Sequence, residues 1–268
     1  MEARMPLHYE SHGAVILLTL SDPATRNALY GDELFAAFEH ARDRLNADLS
    51  VGAAVLTGEG QAFCSGGNVA DMHARRGMFG GTPAEVEQQY RTGIQRVPLA
   101  LLSVDVPLIA AVNGPAIGAG CDLACACDLR IASESATFAE SFIKLGIVPG
   151  DGGAWLLTHA VGYARAVQMA LTGESIDAMT AKAIGLVSDV VPKDDVVSTA
   201  LSLAHRMASN PPQAVRWTKR LLRAARSATF EDVLTLSASY QALAHHTADH
   251  AEALAAVRAK REPKFLGR

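Results

Sequence analysis

The chain has 268 residues, of which 49% are hydrophobic and 19% are charged, and its formal net charge is -4. These values are typical of a globular protein with a sizeable core, and the lack of a dominant basic stripe argues against nucleic-acid binding. Met1–Glu10 does not have the positive flank and apolar run of a secretory signal, and Ala14–Leu20 is too short to span a membrane. We therefore expect a soluble, cytoplasmic protein without nucleic-acid or membrane partners.

The part of the chain before Pro192 consists of short apolar runs and amphipathic segments. Ala14–Leu20 and Gly52–Thr57 predict buried strands, and the apolar spacing of Asp32–Leu49 predicts a helix between them. Further strand signals follow at Pro107–Val112, Asp128–Ala132 and Leu186–Val191. This recurrence indicates the α/β fold class with a largely covered sheet.

The segment from Met72 to Thr92 has a different composition, because charges alternate with glycines and Pro83. Its turn-forming residues predict a surface loop, in which Gly77–Thr82 is mobile. A flexible wall of a binding pocket is the alternative interpretation, since the segment closely follows a glycine-rich turn.

Only helical patterns follow Pro192, and they are interrupted by Pro211–Pro212. The predicted helices are Asp194–Met207, Gln213–Arg226, Phe230–His246 and Asp249–Lys260. We therefore divide the chain near Pro192 into an α/β region, residues 1–192, and a helical region, residues 193–268.

The region from Ala110 to Gly153 carries most of the information about function. An apolar strand leads into the glycine-rich turn Gly114–Gly120, a helix with Asp122 follows, and a second glycine-rich turn comes after the next strand. Glycine allows the backbone N–H groups of such turns to point freely into a cavity. Two turns with an acid between them predict a site that stabilises developing negative charge and moves a proton, as enolate chemistry requires.

An earlier turn, Ser65-Gly66-Gly67, offers a second set of exposed amides just before a helix. One N–H group from this turn and one from Ile117–Gly120 would together hold a single oxygen atom. A simple tight turn is the alternative for this segment considered alone.

Asp122 has two interpretations. In the first turn of a helix, its charge complements the helix dipole. Its neighbours Leu123 and Ala124 are apolar, however, and a carboxylate in a poorly solvated pocket has a raised pKa that suits proton transfer. The sequence leaves both interpretations open.

Other kinds of site find little support. Gly118-Ala-Gly120 lacks the third glycine of a dinucleotide-binding turn, because Leu123 occupies that position. No Lys-Ser/Thr pair follows for a phosphate loop, and no Gly-x-Ser-x-Gly elbow of a serine hydrolase is present. The cysteines do not combine metal-ligand spacing with a nearby histidine, so we expect core residues and no metal. They are Cys64, Cys121, Cys125 and Cys127.

Several sequence motifs occur in a characteristic order along the chain. They are Thr25–Leu29, Ala62–Asn68, Ala111–Leu123 and Ile143–Gly150, followed by Leu171–Gly173, Ala183–Val187 and Lys264–Arg268. Together they resemble the crotonase superfamily, the enoyl-CoA hydratase/isomerase family. The resemblance implies a spiral of repeated ββα units with a helical C-terminal trimerisation region, and trimers that pair into hexamers. It also implies an acyl-coenzyme A thioester as substrate, with no metal or redox cofactor.

By position, the resemblance assigns an oxyanion hole to the backbone N–H groups of Gly67 and Ala119, which would polarise the thioester carbonyl and stabilise an enolate. Other residues would line the coenzyme A channel, and the C-terminal tail would reach coenzyme A on a neighbouring subunit. These implied coenzyme A contacts are Arg26, Ala28, Leu29, Gly66, Asn68, Lys264 and Phe265. The implied substrate-pocket residues are Met72, Phe142 and Pro149.

The acids depart from the pattern of family hydratases, which hold and activate water with two glutamates. Asp122, a shorter carboxylate, matches one of these positions, and Phe142, which cannot titrate, matches the other. Glu140 or Asp151 would have to substitute for the missing acid. Alternation along an extended segment would keep Glu140 on the side of Phe142, whereas a helical turn would not. Asp151 follows Gly150, the position at which several family isomerases have an aspartate.

Two functional hypotheses follow from these acids. Two carboxylates would add water across the 2,3 double bond, whereas one carboxylate would lift a proton from one carbon and return it to another. Phe142 therefore weakens the hydratase interpretation and strengthens the isomerase one, but hydration and a double-bond shift both stay open, with Asp122 as the main proton carrier and Glu140 or Asp151 assisting. The alternative from another class is a family member that binds acyl-coenzyme A without turnover, because half of the usual acid pair is absent.

Overall fold

The structure, a computed structural model, describes residues 5–267. The strands of the main sheet are β1 (Leu7–His12), β2 (Val15–Leu20), β3 (Ala53–Gly58), β4 (Leu108–Val112), β6 (Leu129–Ser133) and β9 (Asp189–Val191). They lie side by side in this order; β1 and β2 are antiparallel, and the other neighbouring pairs are parallel. A smaller sheet contains β5 (Ala116–Ile117), β7 (Thr137–Ala139) and β8 (Ser175–Asp177).

Helices connect and cover these strands. Those before β6 are α1 (Asp32–Ala47), α2 (Val69–Ala74), α3 (Pro83–Thr92), α4 (Arg96–Leu102) and α5 (Ala119–Ala126). Those after β7 are α6 (Gly153–Val161), α7 (Tyr163–Thr172), α8 (Ala178–Ala183), α9 (Val196–Ala208), α10 (Pro212–Ala224), α11 (Phe230–His245) and α12 (Ala248–Ala259).

The core lies on both faces of the main sheet. Its central strands β3 and β4 are apolar and buried along their whole length. On one face they pack with Phe38 of α1 and Leu101 of α4, and on the other with Ala200 of α9. A largely covered sheet, predicted from the uninterrupted apolar runs, is therefore confirmed.

Most strand predictions for the main sheet are confirmed, whereas the short strands β5, β7 and β8 of the smaller sheet were not predicted. β2, β3, β4 and β6 begin and end within one residue of the predicted bounds. The predicted strand Leu186–Val191 is wrong at its start, because β9 begins at Asp189 and Leu186 is a buried residue of the preceding turn. β1 was not predicted, since its polar residues, such as His8 and Glu10, conceal the apolar pattern.

The segment predicted as a surface loop is mostly helical. α2 extends to Ala74, a 3₁₀ turn covers Gly77–Phe79, and α3 begins at Pro83. Thr82 and Glu85 form a capping box, in which the Glu85 carboxylate accepts from the Thr82 N–H at 2.7 Å. The loop prediction is wrong because Thr82 and Pro83 begin a helix.

The helices predicted after Pro192 are confirmed. α9, α10, α11 and α12 begin and end within two residues of the predicted bounds. α9 packs on the sheet, whereas α11 has no buried residue in the described part of the chain. The division of the chain near Pro192 stays a prediction. Within residues 5–267, no helix combines the length and apolar character that crossing a lipid bilayer requires.

Candidate active site

Two glycine-rich turns approach each other at the N-terminal end of α5. Cys64 and Ala116 form a parallel bridge, and the Ile117 N–H donates to the Cys64 carbonyl at 3.0 Å. A Cβ atom on Gly120 would overlap with the Cys64 carbonyl, and one on Gly66 would lie 2.5 Å from the Ile117 carbonyl oxygen. Only glycine allows the two turns to pack this closely.

The N–H groups of Gly67 and Ala119 belong to these two turns. Ala119 begins α5, so its N–H has no acceptor within the helix. Among residues 5–267, neither N–H donates to a backbone carbonyl. The turns are adjacent, since a Cβ atom on Gly66 would lie 3.1 Å from the Ala119 nitrogen. Two free N–H groups, one at a helix N-terminus, can stabilise an oxyanion; their role in this chain stays a prediction.

Asp122, Glu140 and Asp151 come together from three different elements. Asp122 lies in the first turn of α5, Glu140 at the end of β7, and Asp151 in the turn before α6. Their exposed fractions are 2%, 1% and 5%. The Asp122 carboxyl is central, because it neighbours the Glu140 carboxyl and the charge of Asp151 also acts on it. Gly153 makes room for it, because a Cβ atom there would overlap with Asp122 Oδ1 and lie 2.5 Å from Oδ2.

The environment of these carboxyls favours their protonated forms. Burial is the largest effect, and it raises the pKa of Asp122, Glu140 and Asp151. The negative charges of Asp151 and Glu140 raise the pKa of Asp122 further, to well above its ordinary value. Within residues 5–267, no N–H or O–H group donates to the carboxyl oxygens of Asp122 and Glu140, and the Cys121 thiol lies beside Glu140. The cluster can therefore hold and transfer protons.

The three acids differ in whether they line a small cavity. It has a volume of about 10 Å³, close to the least that holds one water molecule. Ala119, Asp122 and Asp151 line it together with apolar residues. Among the described residues, neither Glu140 nor Phe142 belongs to this lining. Asp122 and Asp151 are thus the acids beside the Ala119 amide, and Glu140 lies on another side of Asp122.

The chain does not continue as an extended segment from Glu140 to Phe142. It enters a 3₁₀ turn at Ser141–Leu145, so that Glu140 is buried while Phe142 is partly exposed. The Phe142 ring lies 3.6 Å from the position of a Cβ atom on Gly118. Of the two geometries considered for this segment, the turn is the one observed; whether Glu140 substitutes for the missing acid stays a prediction.

Two residues that the sequence reasoning did not name hold the turn with Asp151. The Gln95 amide donates to the Gly150 carbonyl at 2.7 Å, and the Tyr90 ring lies against Gly150, 2.7 Å from the position of a Cβ atom there. The charge of Asp151 contributes to a raised pKa of Tyr90, after the larger effect of burial. The capping-box pattern Thr82–Glu85 was the available signal for the helix that carries Tyr90.

The residues implied in coenzyme A binding occupy several places. Arg26 is exposed with φ of 58°, and the Leu29 N–H donates to the Gly66 carbonyl at 2.8 Å. Ala28 lines a cavity of about 450 Å³. Asn68 caps α2, because its side-chain oxygen accepts from the Ala70 and Asp71 N–H groups. Their contacts with coenzyme A stay predictions.

The remaining implied residues lie on the tail and around the acids. The Lys264 N–H donates to Glu252, and the following residues donate to Asp249, so the tail is tied to α12. Phe265 is partly buried on this tail, and Arg268 lies outside the described residues. Met72 Cε lies 2.7 Å from the position of a Cβ atom on Gly67. Pro149 directly precedes the Gly150–Asp151 turn.

A cavity much larger than the one beside the acids does not coincide with the acid cluster. It has a volume of about 690 Å³, lies between α10 and the C-terminal end of α5, and touches Cys125. Converging amides and acids therefore identify the candidate site better than cavity size does. All cysteines are free and buried, which confirms their interpretation as core residues.

Residues 10–268 match the sequence profile described as enoyl-CoA hydratase/isomerase. The chain belongs to this family. As a family member it is 37% identical over 254 residues to the 2,3-dehydroadipyl-CoA hydratase of Escherichia coli strain K12, with 95% of this chain and 96% of the relative covered. It is 35% identical over 255 residues to the 1,2-epoxyphenylacetyl-CoA isomerase of the same strain, with 95% of each covered.

Solved structures of enoyl-CoA hydratases have the same fold. The enzyme from Bacillus anthracis superimposes with a TM-score of 0.91 at 29% identity, over 98% of this chain and 100% of the other. The one from Polaromonas sp. JS666 gives a TM-score of 0.89 at 32% identity, over 97% and 99%. The crotonase-like fold is confirmed, and the family acts on acyl-CoA thioesters. The names of these relatives give no support to a non-catalytic member.

Proposed function

We propose that this enzyme is an enoyl-CoA isomerase that moves a double bond from the 3,4 to the 2,3 position of an acyl-CoA thioester. One observation carries this proposal: Asp122 and Asp151 line the same small cavity beside the Ala119 amide. Two carboxyls that face one small cavity can pass a proton to each other. Phe142 occupies the position of the second hydratase glutamate and offers no group that holds water.

The reaction needs one acid and one base. The Gly67 and Ala119 N–H groups would bind the thioester oxygen. The Asp151 carboxylate would take a proton from C2, and the electron pair of that C–H bond would form a dienolate with its charge on the thioester oxygen. Asp122 would then protonate C4, which leaves the double bond between C2 and C3. Transfer of the proton from Asp151 to Asp122 restores the starting state, so no metal or redox cofactor is required.

The environments of the two acids support this assignment. Asp122 has carboxyl neighbours on two sides, whereas Asp151 contacts the Asp122 carboxyl alone among the acids. Burial raises the pKa of Asp151, but the hydrogen bond with Asp122 lowers it. Asp122 therefore keeps its proton to higher pH and serves as the acid, while Asp151 ionises first and serves as the base.

Hydration is the second candidate function. The cavity beside Ala119, Asp122 and Asp151 is close to the size of one water molecule, and a relative 37% identical to this chain is named as a hydratase. Against this, hydration by two acids needs room for water and the acyl chain between them, whereas the cavity that Asp122 and Asp151 line measures only about 10 Å³.

The two reactions are distinguished by supplying each substrate separately. With a 3-enoyl-CoA, we expect the absorbance of the conjugated 2-enoyl thioester to appear; with a 2-enoyl-CoA, we expect it to persist. Asp122→Asn and Asp151→Asn should each lower kcat by about 100- to 10,000-fold, since each removes a group that transfers a proton. Glu174→Gln, at an exposed acid, is the matched control. Loss of the 2-enoyl absorbance without isomerisation would instead establish hydration.

A further inference from the structure

Glu140 contacts the proposed acid without lining the small cavity beside it. Its carboxyl is 1% exposed, at the point where β7 passes into the 3₁₀ turn Ser141–Leu145. The described lining of the cavity includes Asp122 and Asp151 but not Glu140. Glu140 is therefore placed to act on Asp122 and not on the substrate carbons.

The groups that face Asp122 are acids, thiols and apolar side chains. Cys121 and Cys125 share its helix, Glu140 faces it from the end of β7, and Asp151 faces it from the turn before α6. Arg130 and Arg226 act on Cys125, and neither forms an ion pair with the acids in the described part of the chain. The residues facing the cavity from α4 and the turn before it are Ile94, Val97 and Pro98.

A proton shared between Asp122 and Glu140 would remove the repulsion between their carboxylates. Two buried carboxylates would repel each other, and within residues 5–267 no N–H or O–H group donates to their oxygens; the Cys121 thiol is the other polar group beside Glu140. One proton between them replaces this repulsion with a short, charge-assisted hydrogen bond. Such a pair titrates as a unit, and its last proton is held to higher pH than in an isolated carboxyl.

We propose that Glu140 is a positioning residue that, by sharing a proton with Asp122, keeps Asp122 in the acid form that protonates the substrate. This inference rests on the proposed isomerase function, in which Asp122 is the proton donor. It assigns to Glu140 no contact with the substrate. Glu140 differs in this respect from Asp151, which lines the cavity.

The pH profile of Glu140→Gln tests this role. Glutamine keeps the shape of the side chain, but its amide donates to the Asp122 carboxylate and stabilises the ionised form. The pKa of Asp122 should therefore fall, and the alkaline limb of kcat/KM, where Asp122 loses its proton, should move to lower pH by about one unit. Glu140→Asp, which keeps a carboxyl, should restore part of the shift, and Glu174→Gln should leave the limb in place.

A measurement without turnover separates this inference from the proposed function. The C=O stretching band of protonated carboxyls in the infrared spectrum reports the shared proton at neutral pH. Glu140→Gln and Asp122→Asn should each weaken this band, and Glu174→Gln should not, with thermal melting used to verify folding. An unchanged band together with an unchanged alkaline limb in Glu140→Gln would overturn the inference. The band could also weaken in Glu140→Gln while the natural chain fails to isomerise 3-enoyl-CoA. That result would support the shared proton but refute the isomerase reaction and the catalytic role of the Asp122–Glu140 pair.

Discussion

At the scale of single residues, Gly153 determines how Asp122 is held. It is the first residue of α6, and its missing side chain leaves the space that the Asp122 carboxyl occupies. The carboxyl can therefore lie against the helix N-terminus while it contacts Glu140 and Asp151. The geometry of the proposed acid thus depends on a residue without any functional group.

Gly153→Ala tests this dependence. The new Cβ atom would overlap with Asp122 Oδ1, so the carboxyl has to move away from its two partners. A displacement of this kind should lower kcat by about 100-fold, while the fold is preserved because alanine favours a helix. Steady-state kinetics with 3-enoyl-CoA measures the effect. Ala154→Ser, at the exposed neighbouring residue, is the control, and equal kcat values for both variants would contradict the argument.

At the scale of elements, the strands and turns that could be predicted are those that a local sequence pattern encodes. β3 and β4 are uninterrupted apolar runs, and the glycines before α5 forced a tight approach, so their positions followed from the residues alone. The contact of Glu140 with Asp122 did not follow, because it depends on whether the chain turns or extends after Glu140. The bond from Gln95 to Gly150 joins residues 55 apart and has no local signal.

The helices α11 and α12 leave several large apolar side chains exposed. α11 has no buried residue in the described chain, and its Phe230, Leu234 and Leu243 are 72%, 53% and 53% exposed. Leu254 and Val257 of α12 are exposed as well. Several large apolar side chains exposed on two consecutive helices are typical of a subunit interface. We therefore propose that these helices form the contacts of a trimer or hexamer.

Light scattering during size-exclusion chromatography tests the proposed assembly. The natural chain should elute with three or six times its mass of 28.2 kDa. Leu234→Glu combined with Leu243→Glu should yield the single chain, since burying two carboxylates in an apolar interface costs several kcal/mol, roughly. Ser239→Glu adds a charge at an exposed polar residue of the same helix and should leave the mass unchanged. Monomers of the natural chain would contradict the proposal.

At the scale of the whole molecule, the acid cluster opposes folding at neutral pH. The apolar core on both faces of the main sheet supplies stability that offsets the cost of the acid cluster. Burial and neighbouring charges raise the pKa of Asp122 in the folded state above its unfolded value. At pH values between the pKa of Asp122 in the unfolded state and its pKa in the folded state, the folded chain binds more protons than the unfolded chain. The free energy of unfolding therefore falls as pH rises through this range. Asp105 has the opposite effect, because its hydrogen bond from Arg220 lowers its pKa.

Urea unfolding of Asp122→Asn and Asp105→Asn over a pH series tests both signs. At about pH 8, Asp122→Asn should be more stable than the natural chain by about 1 to 3 kcal/mol, because the natural chain has to protonate Asp122 on folding and asparagine does not. This gain should shrink as pH falls towards the ordinary pKa of an aspartate, 3.8, where both states of the natural chain take up the proton. Asp105→Asn should instead lose stability at neutral pH and approach the natural chain in acid, since its stabilising charge disappears there. A parallel response of the two variants to pH would show that Asp122 is ionised and compensated in the folded protein.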